Sequence, residues 1–213
     1  MSLPPPPHPG FFEVLSSRRA YTTLLYLLLS LATGILAFTY AVTGLSLSLG
    51  LAILIIGLPV ALLFLSGTRL LAVAEMHWLK ALVGGEEAEA PPLLPVGEGW
   101  AARLGALVRD RRTWTSLLYF VLLMPLGVVY FTTLVSLLTT GLALVAVPVL
   151  SLLHATGTSS VDLGGPAWLA AHPSLTAVLC GLAGLTLVPL TLHLALLLGR
   201  FQTWLARHLL VRA

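Results

Sequence analysis

The residue best placed to do chemistry in this sequence is His193, which is the one ionisable side chain inside a predicted membrane span. A titratable group at that depth is costly to bury and is by default a functional candidate. We predict that His193 and the hydroxyl groups of Thr132 and Thr133 contact a ligand. The other functional role open to His193 is to relay a proton. Since the predicted spans hold no Asp, Glu, Lys or Arg, we favour a neutral imidazole hydrogen-bonded to a neighbouring helix over an ion-driven pump.

A second group of reactive side chains lies in one predicted outer loop. His154, Asp162 and His172 are spaced eight and ten residues apart, which matches no compact metal motif, and Cys180 has no second cysteine as partner. The serines at 157–160 lack the strand and helix that hold a catalytic triad in shape. We therefore predict no catalytic residue, no metal site and no cofactor.

The composition defines the class of protein that carries these residues. Hydrophobic residues make up 58% of the 213 positions and charged residues 9%, against roughly 45–50% and about 25% in soluble domains. Such a chain is a membrane protein. Three runs without a charged residue, at 24–65, 117–153 and 175–198, compare with roughly 20 residues for one crossing. The first run is long enough for a helical hairpin, and we predict an all-α protein with four transmembrane helices.

The basic residues set the predicted orientation. All eleven lie beside or between the predicted inner ends of the spans. By the positive-inside rule, both termini face the cytoplasm and the chain lies in the cytoplasmic membrane. Because these residues are dispersed at span ends, we expect contact with lipid headgroups and no nucleic acid as partner.

An internal repeat relates the two halves of the sequence. Shifting residues 18–29 by 93 positions onto 111–122 gives seven identities in twelve, including the Arg-Arg pair and a tyrosine. The repeat signature comprises Arg18, Arg19, Tyr21, Tyr26, Arg111, Arg112, Trp114 and Tyr119. Both halves begin and end on the same side, so the repeats are parallel and related by an axis along the membrane normal.

The predicted organisation follows from the spans and the repeat. It comprises a Pro-rich cytoplasmic arm 1–16; a first repeat 17–83 with spans 24–44 and 48–66 and an interfacial helix 69–83; an acidic, Pro-rich linker 84–99; and a second repeat 100–213 with a span 117–137, an outer apolar segment 141–153, an outer loop 154–174, a span 175–198 and an interfacial helix 200–211. We expect the apolar stripes of the two interfacial helices to face lipid or a partner. The residues predicted to mark these helices are Arg69, His77, Trp78, Arg200, Trp204, Arg207 and His208.

The Arg-Arg start of each repeat, with Gly57-Leu-Pro59 in the first copy and Pro125-Leu-Gly127 in the second, resembles the bacterial putative sensor domain family. That family is a duplicated four-helix membrane module often fused to actinobacterial histidine kinases, and the resemblance spans roughly residues 11–213. It implies signal input and no catalytic residues. As no kinase domain follows Ala213 in this sequence, the expected partner is a separate histidine kinase or transcriptional regulator.

The predicted function is therefore non-enzymatic membrane sensing of an apolar or membrane-derived stimulus. A chain with so little polar outer surface is poorly suited to binding a charged soluble ligand. The alternatives are a small transporter or channel subunit without ion coupling, and a passive assembly factor for a membrane complex. A hydrophilic cavity lined by Thr, Ser and His193 would favour transport. Membrane lipid and a second copy of the chain are the further expected partners.

Overall fold

A computed structural model describes residues 10–53, 57–83, 99–155 and 173–211, all but a few of which are helical. A 3-10 turn at Glu13–Ser16 precedes five helices, and the last helix widens into a π-helical turn over Arg207–Val211. The helices are α1 Arg18–Leu51, α2 Gly57–Val83, α3 Trp100–Arg109, α4 Arg111–Ala155 and α5 Pro173–Ala206. Four of them, α1, α2, α4 and α5, are long and apolar enough to cross a membrane. The prediction of an all-α, multi-pass membrane protein is confirmed.

The helices run further than the predicted spans. One helix, α2, contains both the end of the predicted second span and the whole predicted interfacial helix 69–83. The predicted boundary between the span 48–66 and the interfacial helix 69–83 falls inside α2, where the hydroxyls of Ser66 and Thr68 bond to the carbonyl oxygens of Leu62 and Phe64, at 2.7 and 2.9 Å. Because each hydroxyl is satisfied by the preceding turn of its own helix, these polar residues do not end α2.

The same effect extends α4 to 45 residues, about 68 Å at 1.5 Å per residue. It joins the predicted span 117–137 to the predicted outer segment 141–153 without interruption. Midway, Thr139 donates to the carbonyl of Val135 at 2.7 Å. Of the other predicted segments, residues 1–9 of the arm, 84–98 of the linker and 156–172 of the loop lie outside the described residues; Asp162 and His172 are among them.

The chain divides into two compact units. The first comprises residues 1–20 and 132–195. Within it α4 and α5 pack closely, since a Cβ atom added to Gly184 would lie 2.6 Å from the backbone nitrogen of Val145. Small residues allow such close approach between membrane helices, where apolar burial gives little driving force for association.

The second unit comprises residues 21–131 and 196–213. In it α1 and α4 cross with backbone against backbone. A Cβ atom on Gly34 would lie 2.8 Å from the carbonyl oxygen of Leu123, and one on Gly127 would lie 2.7 Å from that of Ser30. Gly34 and Gly127 are 93 residues apart, and so are Ser30 and Leu123. The contact is therefore reciprocal under the offset of the sequence repeat.

Polar side chains are buried in this second unit while large apolar ones are exposed. Thr68, Arg69, Glu75 and Gln202 are among its buried polar residues. Leu36, by contrast, is 71% exposed. That distribution suits a helical bundle whose outer surface meets lipid, since the hydrocarbon solvates apolar side chains and polar ones must find partners inside.

Candidate functional site

The site is a hydrogen-bonded cluster inside the second unit, formed by Tyr26, Glu75, Tyr119, Tyr130 and Gln202 and referred to below as the tyrosine–glutamate cluster. The hydroxyl of Tyr26 donates to Glu75 Oε1 at 2.7 Å, and that of Tyr119 donates to the same oxygen at 3.4 Å. Gln202 Nε2 donates to the Tyr119 hydroxyl at 2.9 Å, and the Tyr130 hydroxyl donates to Gln202 Oε1 at 3.2 Å. All five residues are buried.

The hydrogen bonds of the cluster share one direction. Tyr130 donates to Gln202, Gln202 to Tyr119, and Tyr119 to Glu75, which also receives the Tyr26 hydroxyl. The carboxyl group is thus the terminal acceptor. Breaking any link would leave a buried donor or acceptor without its partner, which typically costs about 1–3 kcal/mol. Chains of this kind couple their members more strongly than isolated pairs do.

The cluster joins four helices at one point. Tyr26 belongs to α1, Glu75 to α2, Tyr119 and Tyr130 to α4, and Gln202 to the last turns of α5. The two tyrosines that meet Glu75 are the equivalent residues of the sequence repeat, each eight positions before the glycine of the α1–α4 crossing. The close crossing at Gly34 and Gly127 therefore brings both phenol groups within reach of one carboxyl.

A second polar contact lies six residues before Glu75 on α2. Arg69, which the sequence placed at the membrane interface, is buried and pairs with Asp110 between α3 and α4. Asp110 also caps α4, since its Oδ1 accepts the backbone N–H of Arg112 at 3.0 Å. The pairing anchors α2 to the α3–α4 junction, so the Arg69 side chain contacts protein.

One cavity borders the cluster, and a second lies next to the first. A void of about 180 Å³ is lined by Tyr26 and Glu75 together with Leu29, Leu36 and Trp78. A groove of about 600 Å³ between α1 and α2 is lined by apolar and hydroxyl side chains that include Leu36, Leu47 and Phe64. Because Leu36 lines both, the void and the groove are neighbours along α1.

His193, the foremost sequence candidate, lies in the first unit and makes local contacts. Its Nδ1 is 3.0 Å from the carbonyl oxygen of Pro189, one turn earlier in α5, and its ring stacks on Phe11 at 5.7 Å. Thr132 is exposed and Thr133 half-buried on α4. The hydrogen bond of His193 is therefore made within its own helix, where we expected one to a neighbouring helix.

The predicted repeat signature separates into buried and exposed members. Tyr26 and Tyr119 join the cluster, whereas Tyr21 and Trp114 are about half exposed and Trp114 donates to the carbonyl of Val108 at 2.9 Å. The four arginines of the signature are also exposed: Arg18, Arg19, Arg111 and Arg112.

The two predicted interfacial helices carry exposed aromatic residues. Trp78 and Trp204 are 56% and 54% exposed. Trp204 stacks on Phe201 at 6.0 Å and lies 4.7 Å from the ring of His208, so the end of α5 presents an aromatic face. His77 is exposed on α2 and bonds the Val73 carbonyl of its own helix. Of the arginines on these stripes, Arg200 is exposed and Arg207 half-buried.

Sequence reasoning missed Glu75, Tyr130 and Gln202. It placed Glu75 on an interfacial helix outside the spans, which by its prediction hold no Asp, Glu, Lys or Arg, whereas the structure buries Glu75 against Tyr26 and Tyr119. The signal was present: Glu75 lies at the edge of the apolar stripe, three residues before Trp78 and seven before Leu82, so a carboxyl group interrupts an otherwise apolar side of α2. Within the described residues, no group of three or more His, Cys, Asp or Glu side chains could hold a metal ion.

The fold and site define a multi-pass helical membrane protein with a polar cluster inside its bundle. A family model described as Putative sensor matches residues 26–210, and the chain belongs to that family. The matched segment contains all five residues of the cluster. No curated protein and no solved structure matches the chain.

Proposed function

We propose that this protein is a non-enzymatic membrane sensor whose tyrosine–glutamate cluster couples the spacing of its helices to the exposed ends of α2 and α5. The observation that supports this function is that one hydrogen-bonded chain links α1, α2, α4 and α5 and ends at the carboxyl group of Glu75. Membership of the sensor family supports the same role.

The cluster is suited to switching because its links are few and directional. Tyr119 donates to Glu75 at 3.4 Å, the longest bond of the chain, while the Tyr26 bond is 2.7 Å. A small displacement of α4 against α2 would break the longer bond first. The Tyr119 hydroxyl would then need another acceptor, so two discrete arrangements of the cluster can exchange, as a switch requires.

The signal would pass to a partner protein through two exposed faces, one near the carboxyl end of α2 and one near that of α5. These faces carry Trp78 and Trp204, respectively. Glu75 precedes Trp78 by three residues, and Gln202 precedes Trp204 by two. A shift of the cluster would therefore move both faces. With both termini in the cytoplasm, as the distribution of basic residues favours, these faces would meet a histidine kinase or a transcriptional regulator at the inner surface.

The cavities favour sensing over the transport alternative. A channel or uncoupled transporter needs a polar path, but the walls of the void and of the groove are mainly apolar. His193, which the sequence suggested as a lining residue for such a path, lines neither of them.

The direct test is photocrosslinking in cells from positions 78 and 204, followed by mass spectrometry. A photoreactive residue at Val178, which is exposed on α5 in the other unit, is the matched control for lipid-facing positions. We expect a signalling protein to be captured from positions 78 and 204 and not from 178. The captured amount should change when Glu75→Gln is introduced, because the cluster sets the positions of both faces.

Capture of lipid alone from positions 78 and 204 would overturn the proposal. So would capture of a signalling protein that is unaffected by both Glu75→Gln and Tyr119→Phe, because the cluster would then have no influence on the output.

A further inference from the structure

The void beside Glu75 combines one carboxyl group with walls of apolar side chains. Its volume is about 180 Å³. Leu29, Leu36 and Leu82 contribute to its walls, and Tyr26 and Glu75 close one side. An apolar cavity with one polar group at a defined point is the usual form of a site for a small amphiphilic ligand.

The polar end of the void is a carboxyl group whose hydrogen-bond partners are neutral hydroxyls. The partners of Glu75 are the hydroxyls of Tyr26 and Tyr119, both on Oε1. The arginine on the same helix, Arg69, is paired with Asp110. A carboxyl group held away from water is most stable beside a positive charge or a strong hydrogen-bond donor. A ligand with an ammonium group would supply both.

The mouth of the void opens toward the lipid-facing surface. Leu29, Leu36 and Trp78 line the void and are themselves exposed on the outside of the bundle. The indole face of Trp78 is the kind of surface over which an ammonium ion is attracted. A ligand could therefore reach Glu75 from the bilayer.

The groove along α1 suits the rest of such a ligand. It shares Leu36 with the void and runs to Leu47, a distance of about 16 Å along the helix at 1.5 Å per residue. Its walls include Val60, Leu63 and Phe64. A single alkyl chain fits this surface, whereas a phospholipid would bring its phosphate next to Glu75 and leave that charge unpaired among apolar walls.

We propose that this void and groove bind a single-chain cationic amphiphile, with its ammonium group at Glu75 and its alkyl chain along α1. The inference deepens the proposed sensing function by naming the class of stimulus, and it rests on that function only for its biological meaning. The binding itself depends on the shape and charge of the site.

The test uses the full chain in lipid nanodiscs and dodecylamine as the probe, with bound molecules counted by native mass spectrometry. Dodecanol and dodecanoate carry the same chain with a neutral and a negative head. We expect dodecylamine to bind about tenfold or more tightly than either, because a hydrogen bond to a charged group is worth more than a neutral one and like charges repel. Nanodiscs with and without phosphatidylethanolamine distinguish the free amine from a lipid headgroup.

Two variants locate the site. Glu75→Gln keeps the shape and an acceptor for the tyrosines but removes the negative charge, and should weaken dodecylamine binding about tenfold or more. Ala32→Leu adds bulk at the wall of the void and leaves the five residues of the cluster unsubstituted; it should weaken binding of all three probes. Glu13→Gln, an exposed carboxyl in the other unit, is the matched control and should bind as the unaltered chain does.

Equal binding of dodecylamine and dodecanol to the unaltered chain would overturn the proposal, and this comparison needs no variant to fold. Unchanged dodecylamine binding in Ala32→Leu would also overturn it, as would competition by phosphatidylethanolamine at the same site, which would make the occupant a phospholipid. Failure of sensing has a different signature: dodecylamine would bind at Glu75, yet the capture from positions 78 and 204 would not respond to it.

Discussion

The crossing of α1 and α4 gives a quantitative prediction about the packing that supports the tyrosine–glutamate cluster. A Cβ atom at Gly34 would lie 2.8 Å from a carbonyl oxygen of α4, and one at Gly127 would lie 2.7 Å from a carbonyl oxygen of α1, whereas ordinary contact begins at 3.4 Å. Each alanine substitution therefore requires the helices to separate by about 0.6–0.7 Å, because backbone atoms cannot rotate away as a side chain can.

We expect Gly34→Ala and Gly127→Ala each to lower the free energy of unfolding by about 1–3 kcal/mol, the usual cost of overpacking a well-packed contact. The double variant should cost much less than the sum. A single separation of the two helices by about 0.7 Å relieves both close contacts, so the coupling energy should reach about 1 kcal/mol or more. Independent sites would show additivity within about 0.5 kcal/mol.

The measurement is unfolding of the purified chain in mixed micelles with increasing dodecyl sulfate, followed by helical circular dichroism for both singles and the double. Gly50→Ala serves as a control on the same helix α1, since a Cβ atom there has no heavy atom within 4 Å. Additive losses would refute the reciprocal contact, and neutral single variants would refute the close crossing itself.

Other substitutions test the remaining contacts by the same unfolding assay unless stated otherwise. Gln202→Leu should lower the free energy of unfolding by about 1–3 kcal/mol, because two tyrosine hydroxyls lose their partner; a loss below about 0.5 kcal/mol would contradict the network. Asp110→Asn should cost about 1–2 kcal/mol by weakening its pair with the buried Arg69, and an unchanged transition would show the pair to be unimportant. Gly105→Ala, on the open side of α3, should raise stability by about 0.4–1 kcal/mol. His193→Ala should leave dodecylamine binding unchanged in native mass spectrometry, since its ring bonds a carbonyl of its own helix; a clear loss of binding would place the ligand in the other unit.

The sequence by itself determined the class of protein, because the length of an apolar run is a direct measure of whether a helix can cross hydrocarbon. It predicted the four long apolar helices and the family, and it paired Tyr26 with Tyr119 by the 93-residue offset. It could not fix where the helices end. The predicted boundaries at 66–69 and 137–141 fall inside α2 and α4, where the hydroxyls of Ser66, Thr68 and Thr139 bond to carbonyls of their own helices.

Only the tertiary structure decided which polar residue matters. Glu75 is 44 positions from Tyr119, and Gln202 is 83 positions from it, so nothing local in the sequence brings them together. The helical pattern of α2 gives an apolar face and a face with Arg69 and Glu75, and by itself it does not say which face meets water, lipid or protein. The packing of α1, α4 and α5 against α2 turned the polar face inward, because in a membrane a charged side chain is most stable where other helices supply its partners.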